Sequence, residues 1–241
     1  MPDIDWNLAA WSSGRDWGGE GEAWSSPWGG SEAQWFGLLY PRLHRRLPAR
    51  SILEIAPGYG RWTRFLLPGC TEFLGVDLSA TAIEACRESF ASAGHARFIR
   101  NDGLTLPPGG SFDLVFSFDS LVHAEIEVFQ AYVPQILAKL APGGVAFLHH
   151  SNLAALDPAM ANPHHRARSV SALKLRELVE AQGGAVLVQE VIAWGAIQQH
   201  DCMTLFGRRD SFPQAQPVLL DNTESSREAW MIAHFQAPWN R

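Results

Sequence analysis

Glu54-Ile55-Ala56-Pro57-Gly58-Tyr59-Gly60-Arg61-Trp62-Thr63 closes a short apolar run and opens a helix. The run, residues 51–56, reads as a buried strand because it is apolar, short and ends in a turn signal. Glycines at a strand-to-helix turn let the backbone approach a ligand closely and adopt angles that a side chain forbids. At the open end of a parallel sheet this is where nucleotides bind.

Outward from this turn the chain alternates. Strands are predicted at residues 73–77, 96–100, 112–117 and 145–149, and helices at 61–67, 79–91 and 125–140. Repeated β-α units call for a parallel sheet with helices on both faces. The ending differs. A helix from Ser171 precedes two β-rich runs, residues 185–194 and 201–207, whose link is too short for a crossover helix. They form an antiparallel hairpin at the sheet edge. The predicted fold is therefore α/β, a doubly wound, seven-stranded, mostly parallel sheet with a terminal antiparallel β-hairpin, occupying residues 49–210. Residues 211–241 are a C-terminal tail, where Ser225 and Glu228 match a capping box ahead of a short helix at 229–235.

Residues 1–48 stand apart as an N-terminal arm and helix, a cap or lid. Six of the 10 Trp lie here: Trp6, Trp11, Trp17, Trp24, Trp28 and Trp35. Residues 1–30 show no helical or alternating period and read as an ordered arm, since Trp suits a solvated linker poorly. Ser31 reads as the cap of a helix to about Arg46, interrupted by Pro41. Two roles fit the Trp cluster: a hydrophobic lid clasping the sheet, or an aromatic wall for a substrate.

The 241 residues are 46% hydrophobic and 18% charged, enough to bury a core. The net charge of −6 gives no basic face for nucleic acid. The local patch Arg42, His44, Arg45, Arg46 and Arg50 reads as the solvated last turn of a helix. Three cysteines, Cys70, Cys86 and Cys202, are too few and too scattered for a disulfide framework. The acidic start, Met1-Pro2-Asp3-Ile4-Asp5, lacks the features of a signal peptide, and no apolar run has the length of a membrane span. A cytoplasmic protein is expected, without nucleic-acid or membrane partners; a homo-oligomer is left open.

Four successive strand ends deliver polar or glycine residues to one rim. Asp77 ends the second strand, 17 residues after Gly60, where a carboxylate can accept from both hydroxyls of a ribose. The third strand ends in Asn101-Asp102-Gly103, where an acid can accept from an adenine amino group, and the fourth in Ser117-Phe118-Asp119-Ser120. A dinucleotide loop would read G-x-G-x-x-G; here Ala56, Gly58 and Gly60 are followed by Thr63.

This pattern, over about residues 50–208, resembles the class I S-adenosylmethionine-dependent methyltransferases. The resemblance implies S-adenosylmethionine as cofactor. It assigns Glu54, Ala56, Gly58 and Gly60 to the loop, Asp77 and Leu78 to the ribose side, Asp102 and Gly103 to the adenine side, and Ser117 and Phe118 to the methionine end. Ala56 departs from the family's first Gly, and serves there if it keeps a negative φ. Arg61 reads either as a partner of the cofactor's carboxylate or as a surface group.

An alcohol acceptor needs a base, whereas a carbon, nitrogen or carboxylate acceptor does not. The candidates are His123 and His150, then Asp119, with His149 beside them. Asp119 and His123 share one face if that stretch is helical. Strand alternation sends His149 and His150 to opposite faces. A Mg²⁺ site from Asp119, His149 or His150, and Asp201 is the metal alternative. The runs Trp28-Gly29-Gly30-Ser31, Leu53–Thr63, Phe118–His123 and His149-His150-Ser151-Asn152 look similar to bacterial methyltransferases associated with polysaccharide and sugar modification, which implies O-methylation of a saccharide or similar small-molecule acceptor. The loop at residues 162–168 can cover that acceptor. The alternatives are an N- or C-methyltransferase of a natural product or lipid, and a non-catalytic cofactor-binding sensor or scaffold.

Overall fold

A computed structural model describes residues 2–12, 19, 21–194 and 197–236. Trp17 lies outside them. The arm begins with α1 (Ile4–Ser12), followed by a 3-10 turn at Glu22–Trp28. The next helix is composite: α2 (Ser31–Gln34), a π-turn (Trp35–Leu39) and α3 (Tyr40–Leu43). The core follows as β1 (Ala49–Ile55), α4 (Thr63–Leu66), β2 (Cys70–Asp77), α5 (Ala80–Ser89), β3 (Ala96–Arg100), β4 (Phe112–Ser117), α6 (Ile126–Lys139), β5 (Leu140–Ser151), α7 (Ala172–Ala181), β6 (Gly184–Trp194) and β7 (Ile197–Arg208). The tail adds β8 (Val218–Asn222) and α8 (Ser225–Met231).

The sheet order is β3-β2-β1-β4-β5-β7-β6-β8. β7 runs antiparallel to both β5 and β6, and the other pairs are parallel. The seven expected strands are present. The tail supplies an eighth, so the β6-β7 hairpin is covered by β8 and is not the sheet edge. The strand order reverses between β1 and β4, and this switch point opens a crevice at the strands' C-terminal ends.

Apolar residues fill both faces. Leu38, Leu39, Trp62, Leu66, Ile83 and Phe116 are buried on the arm side, and Phe129, Val133, Ile136 and Val179 on the side of α6 and α7. Each such side chain contributes about 1.5–3 kcal/mol through burial. Trp35 stacks on Phe65 at 5.1 Å, and Trp28 packs against Trp194 at 5.0 Å. These Trp fasten the arm to the sheet.

Several local expectations are corrected. Residues 4–12 are helical, not an irregular arm: Asp3 caps the helix by accepting the Trp6 N–H at 2.8 Å. Ile4, Leu8 and Trp11, at helical spacing, line one cavity. Ser31 opens its helix without acting as the cap; Glu22 accepts the Ser31 N–H at 2.7 Å instead. Before Pro41 the helix widens into the π-turn. Gly37 sits there because a Cβ would meet the Glu228 carbonyl oxygen at 2.5 Å. Arg42 is not a solvated cation: it donates to Glu190 and Glu228 and ties the arm to β6 and α8. The Ser225–Glu228 capping box does not form. The Ser225 hydroxyl donates to the Ala193 carbonyl at 3.1 Å, while Glu228 serves Arg42.

Candidate active site

A cavity of about 610 Å³ occupies the crevice. Its floor comes from strand ends. Ala56 to Gly58 follow β1, Asp77 and Leu78 end β2, Asn101 and Gly103 follow β3, and Phe118 and Asp119 follow β4. Helix α1 roofs it with Ile4, Asn7 and Trp11, and the loop before α7 closes the far side with His164, His165 and Arg166. Among the described residues no helix is long and apolar enough to cross a membrane.

Gly60 has φ +89°, and a Cβ there would lie 2.4 Å from the Phe90 ring, so only glycine fits. Ala56 has φ +57°. The expectation of a negative φ is therefore corrected: the alanine occupies the left-handed region, at a cost of about 1–2 kcal/mol. The strain is held by the Ala56 N–H, which donates to Val76 O at 2.7 Å, and by the Ser120 hydroxyl, which donates to Ala56 O at 2.8 Å.

Asp77 accepts the Gly58 N–H at 3.0 Å and the Ser79 N–H at 2.8 Å. A carboxylate has about four acceptor sites, so these bonds orient it and leave lone pairs for a diol. Burial pushes its pKa up to about 6, and those backbone bonds oppose the rise. Glu54 is buried beneath the loop and accepts from Thr63 Oγ1 at 2.5 Å. Burial pushes it up to about 8, against the effects of Thr63 and Arg61. Asp102 is exposed and accepts from the Leu104 and Thr105 N–H groups of its own turn, so Asn101 and Gly103, not Asp102, line the cavity at this strand. Glu54, Gly60 and Ser117 also lie outside the lining.

The four acid-base candidates separate. Asp119 and His123 both line the cavity, although the stretch is not an α-helix: Asp119 has φ +59°, and residues Leu121–His123 form a 3-10 turn. His150 lies on the opposite sheet face, against Phe129, with its nitrogens on Ser151 O and Thr204 Oγ1, both at 2.8 Å. His149 sits one layer below the cavity, stacked on Phe118 at 4.3 Å.

A chain of charges crosses the site. Arg61 donates to Asp119 Oδ2 at 2.7 Å, and Arg166 Nη2 lies 3.5 Å from Asp119 Oδ1. Arg166 also holds Asp201 through Nε and Nη2 at 3.0–3.2 Å and stacks over the Trp194 ring at 4.8 Å. Burial pushes the Asp201 carboxyl up, but Arg166 and His149 more than offset this and hold it well below the usual range. With Asp119 and Asp201 both bound to guanidinium groups, the metal alternative loses its two carboxylates. Among the described residues no group of three or more His, Cys, Asp or Glu is placed to hold a metal ion.

His123 Nδ1 donates to His165 O at 3.0 Å, which leaves Nε2 as the lone-pair nitrogen. Burial, with Arg166 nearby, lowers its pKa to about 4. Trp11 packs on its ring at 5.1 Å, Trp24 stands edge-on to Trp11 at 6.0 Å, and Trp6 faces His165 at 5.4 Å. The α1 contribution escaped the sequence reading; the spacing of Ile4, Leu8 and Trp11 was its signal. The partnership of Arg166 with Asp201 carries no local signal, because 35 residues separate them.

Residues 52–144 match the model of a methyltransferase domain family. No curated protein matches the sequence. The fold is similar to that of an S-adenosylmethionine-dependent methyltransferase from Clostridium acetobutylicum ATCC 824 (TM-score 0.58, 16% identity, 75% of this chain and 90% of that one). It is also similar to the CcbJ methyltransferase from Streptomyces caelestis (0.59, 17%, 80% and 100%). A third is N-methyltransferase NodS from Bradyrhizobium japonicum WM9 in complex with S-adenosyl-L-homocysteine (0.56, 17%, 69% and 84%). At such identities these three share its fold. Residues 52–144 thus match a methyltransferase domain, and the chain around them has the fold of S-adenosylmethionine-dependent methyltransferases. The cavity suits that cofactor: Asp77 is preset for a diol, and the loop backbone and Gly103 leave room beside it.

Proposed function

We propose that the protein is an S-adenosylmethionine-dependent methyltransferase and that it methylates a hydroxyl of a sugar or similar polyhydroxylated small molecule. The observation that supports this most is the composition of the cavity's acceptor side. Trp6, Trp11 and Trp24 line it together with the polar groups Arg61, Asp119, Arg166 and His123. Sugar rings offer apolar C–H faces to aromatic rings and hydroxyl edges to polar groups. Both arginines are ion-paired, so the wall carries no unmatched cation that would select an anionic acceptor.

S-adenosylmethionine, when bound, would supply a methyl group whose bond to sulfur breaks, its electron pair passing to sulfur, as the acceptor bond forms. Asp77, Leu78 and the loop from Ala56 would hold its nucleoside end. The arm and the 163–166 loop exclude water and align the acceptor. His123, neutral at physiological pH, offers Nε2 to the acceptor's proton. With a pKa of about 4 it is a weak base, so position contributes more than basicity.

That weakness supports a second reading, N-methylation, since a free amine needs no base. Incubation with labelled S-adenosylmethionine, nucleotide sugars, oligosaccharides and their amino-sugar counterparts tests the choice. Labelled O-methyl products are expected; label on amines alone contradicts the reading.

A further inference from the structure

Arg166 is buried, and most of its guanidinium is committed. Nε and Nη2 serve Asp201, Nη2 also faces Asp119, and the plane stacks on Trp194. Such a fork is fixed in place. Nη1 is different. Its contact is a long one, 3.5 Å from His123 Nε2, and both residues line the cavity. A strong donor and a lone-pair nitrogen therefore stand side by side on the acceptor wall.

We infer that Arg166 Nη1 and His123 Nε2 form a clamp for the acceptor's reacting hydroxyl, with Arg166 as an acceptor-binding residue. This rests on the O-methylation reading and deepens it. A hydroxyl has one O–H and two lone pairs. It inserts between the two nitrogens, donating to Nε2 and accepting from Nη1. At ordinary hydrogen-bond lengths this opens the pair by about 1 Å, by a shift of the His123 ring away from the fixed guanidinium. The second lone pair stays free to form the new bond to the methyl carbon. As that bond forms, the hydroxyl proton passes to Nε2.

A primary amine fits the same clamp unproductively. It has a single lone pair, and donation from Nη1 engages the electrons that would attack. The clamp thus selects oxygen over nitrogen, which the Trp wall alone does not do.

The test uses full-length protein, labelled S-adenosylmethionine, and a panel of sugars with their amino-sugar counterparts at a pH where the amines are free bases. Wild-type protein is expected to methylate sugars and leave the matched amines. Arg166→Met is expected to raise KM for the sugars about 10–100-fold, the loss of one charged hydrogen bond, with affinity for S-adenosylhomocysteine unchanged. Because Asp201 is orphaned in that variant, Arg166→Met combined with Asp201→Asn supplies a second version without a buried unpaired charge. Methylated sugars with an unaltered KM in the folded variants would overturn the clamp alone. Equal turnover of sugars and matched amines would also overturn it. Turnover of amines and of no alcohol would overturn both the clamp and the O-methylation reading.

Discussion

His149 Nδ1 accepts the backbone N–H of Asp119 at 3.1 Å, while its Nε2 faces Asp201 Oδ2 across 3.3 Å. The acceptor role of Nδ1 places the ring proton on Nε2, toward the carboxylate. One imidazole thereby secures the left-handed turn that presents Asp119 to Arg61 and Arg166. His149→Phe keeps the stacking area on Phe118 and removes the acceptor. It should cost about 1–3 kcal/mol for the unsatisfied N–H, read as a lower urea midpoint. An unchanged midpoint would contradict the role.

Ala56 sits at φ +57°. Ala56→Gly relieves about 1–2 kcal/mol of left-handed strain and adds about 0.4–1 kcal/mol of unfolded-state entropy. The net expectation is a gain of about 0.5–1 kcal/mol, measured by urea unfolding. Destabilisation would show that the methyl group's packing outweighs the strain.

Burial pushes the Glu54 carboxyl up to about 8 in the folded protein, above the ordinary 4.5. The folded state then binds this proton more tightly than the unfolded chain does. Its contribution is fully present below about pH 4.5 and is lost as pH rises through 8. The buried histidines lowered to about 4, among them His123 and His150, act oppositely as pH falls below 6.5. The wild-type-minus-Glu54→Gln difference isolates the carboxyl. That difference should turn against the wild type between pH 5 and 8; a flat difference would contradict a buried, protonated Glu54.

On the proposed reading Trp28 chiefly fastens the arm, although it also borders the cavity, and Trp11 belongs to the acceptor wall. Trp28 is 4% exposed and packs on Trp194, so Trp28→Ala should cost about 3–5 kcal/mol. Trp11→Ala should cost clearly less stability and raise the acceptor's KM more. Thermal unfolding alongside steady-state kinetics reads both quantities, and the reverse order would contradict the division.

The sheet was legible because its strands are short apolar runs ending in polar turns, and because glycines and Asp77 mark the rim. Asp77, Leu78, Gly103, Phe118 and Asp119, at strand ends marked by the sequence, line one cavity together with His123. Strand alternation separated His149 from His150. Other features depend on information that no short window holds. The size of Ala56 says nothing of its φ. Asp102 faces its own turn because the Leu104 and Thr105 N–H groups donate to it at 2.8 and 2.6 Å. The pairs Arg42–Glu190, Arg61–Asp119 and Arg166–Asp201 join residues 148, 58 and 35 positions apart, and β8 finds its partner through the tertiary fold.

On the proposed reading, Asp77 is the carboxylate that receives the cofactor's ribose. Calorimetric titration of wild-type protein and Asp77→Ala with S-adenosylhomocysteine tests it directly. The variant should bind at least about tenfold more weakly, the loss of a charged hydrogen bond being worth about 1.5–3 kcal/mol. Equal affinity in the two proteins would contradict the placement of the cofactor in this crevice.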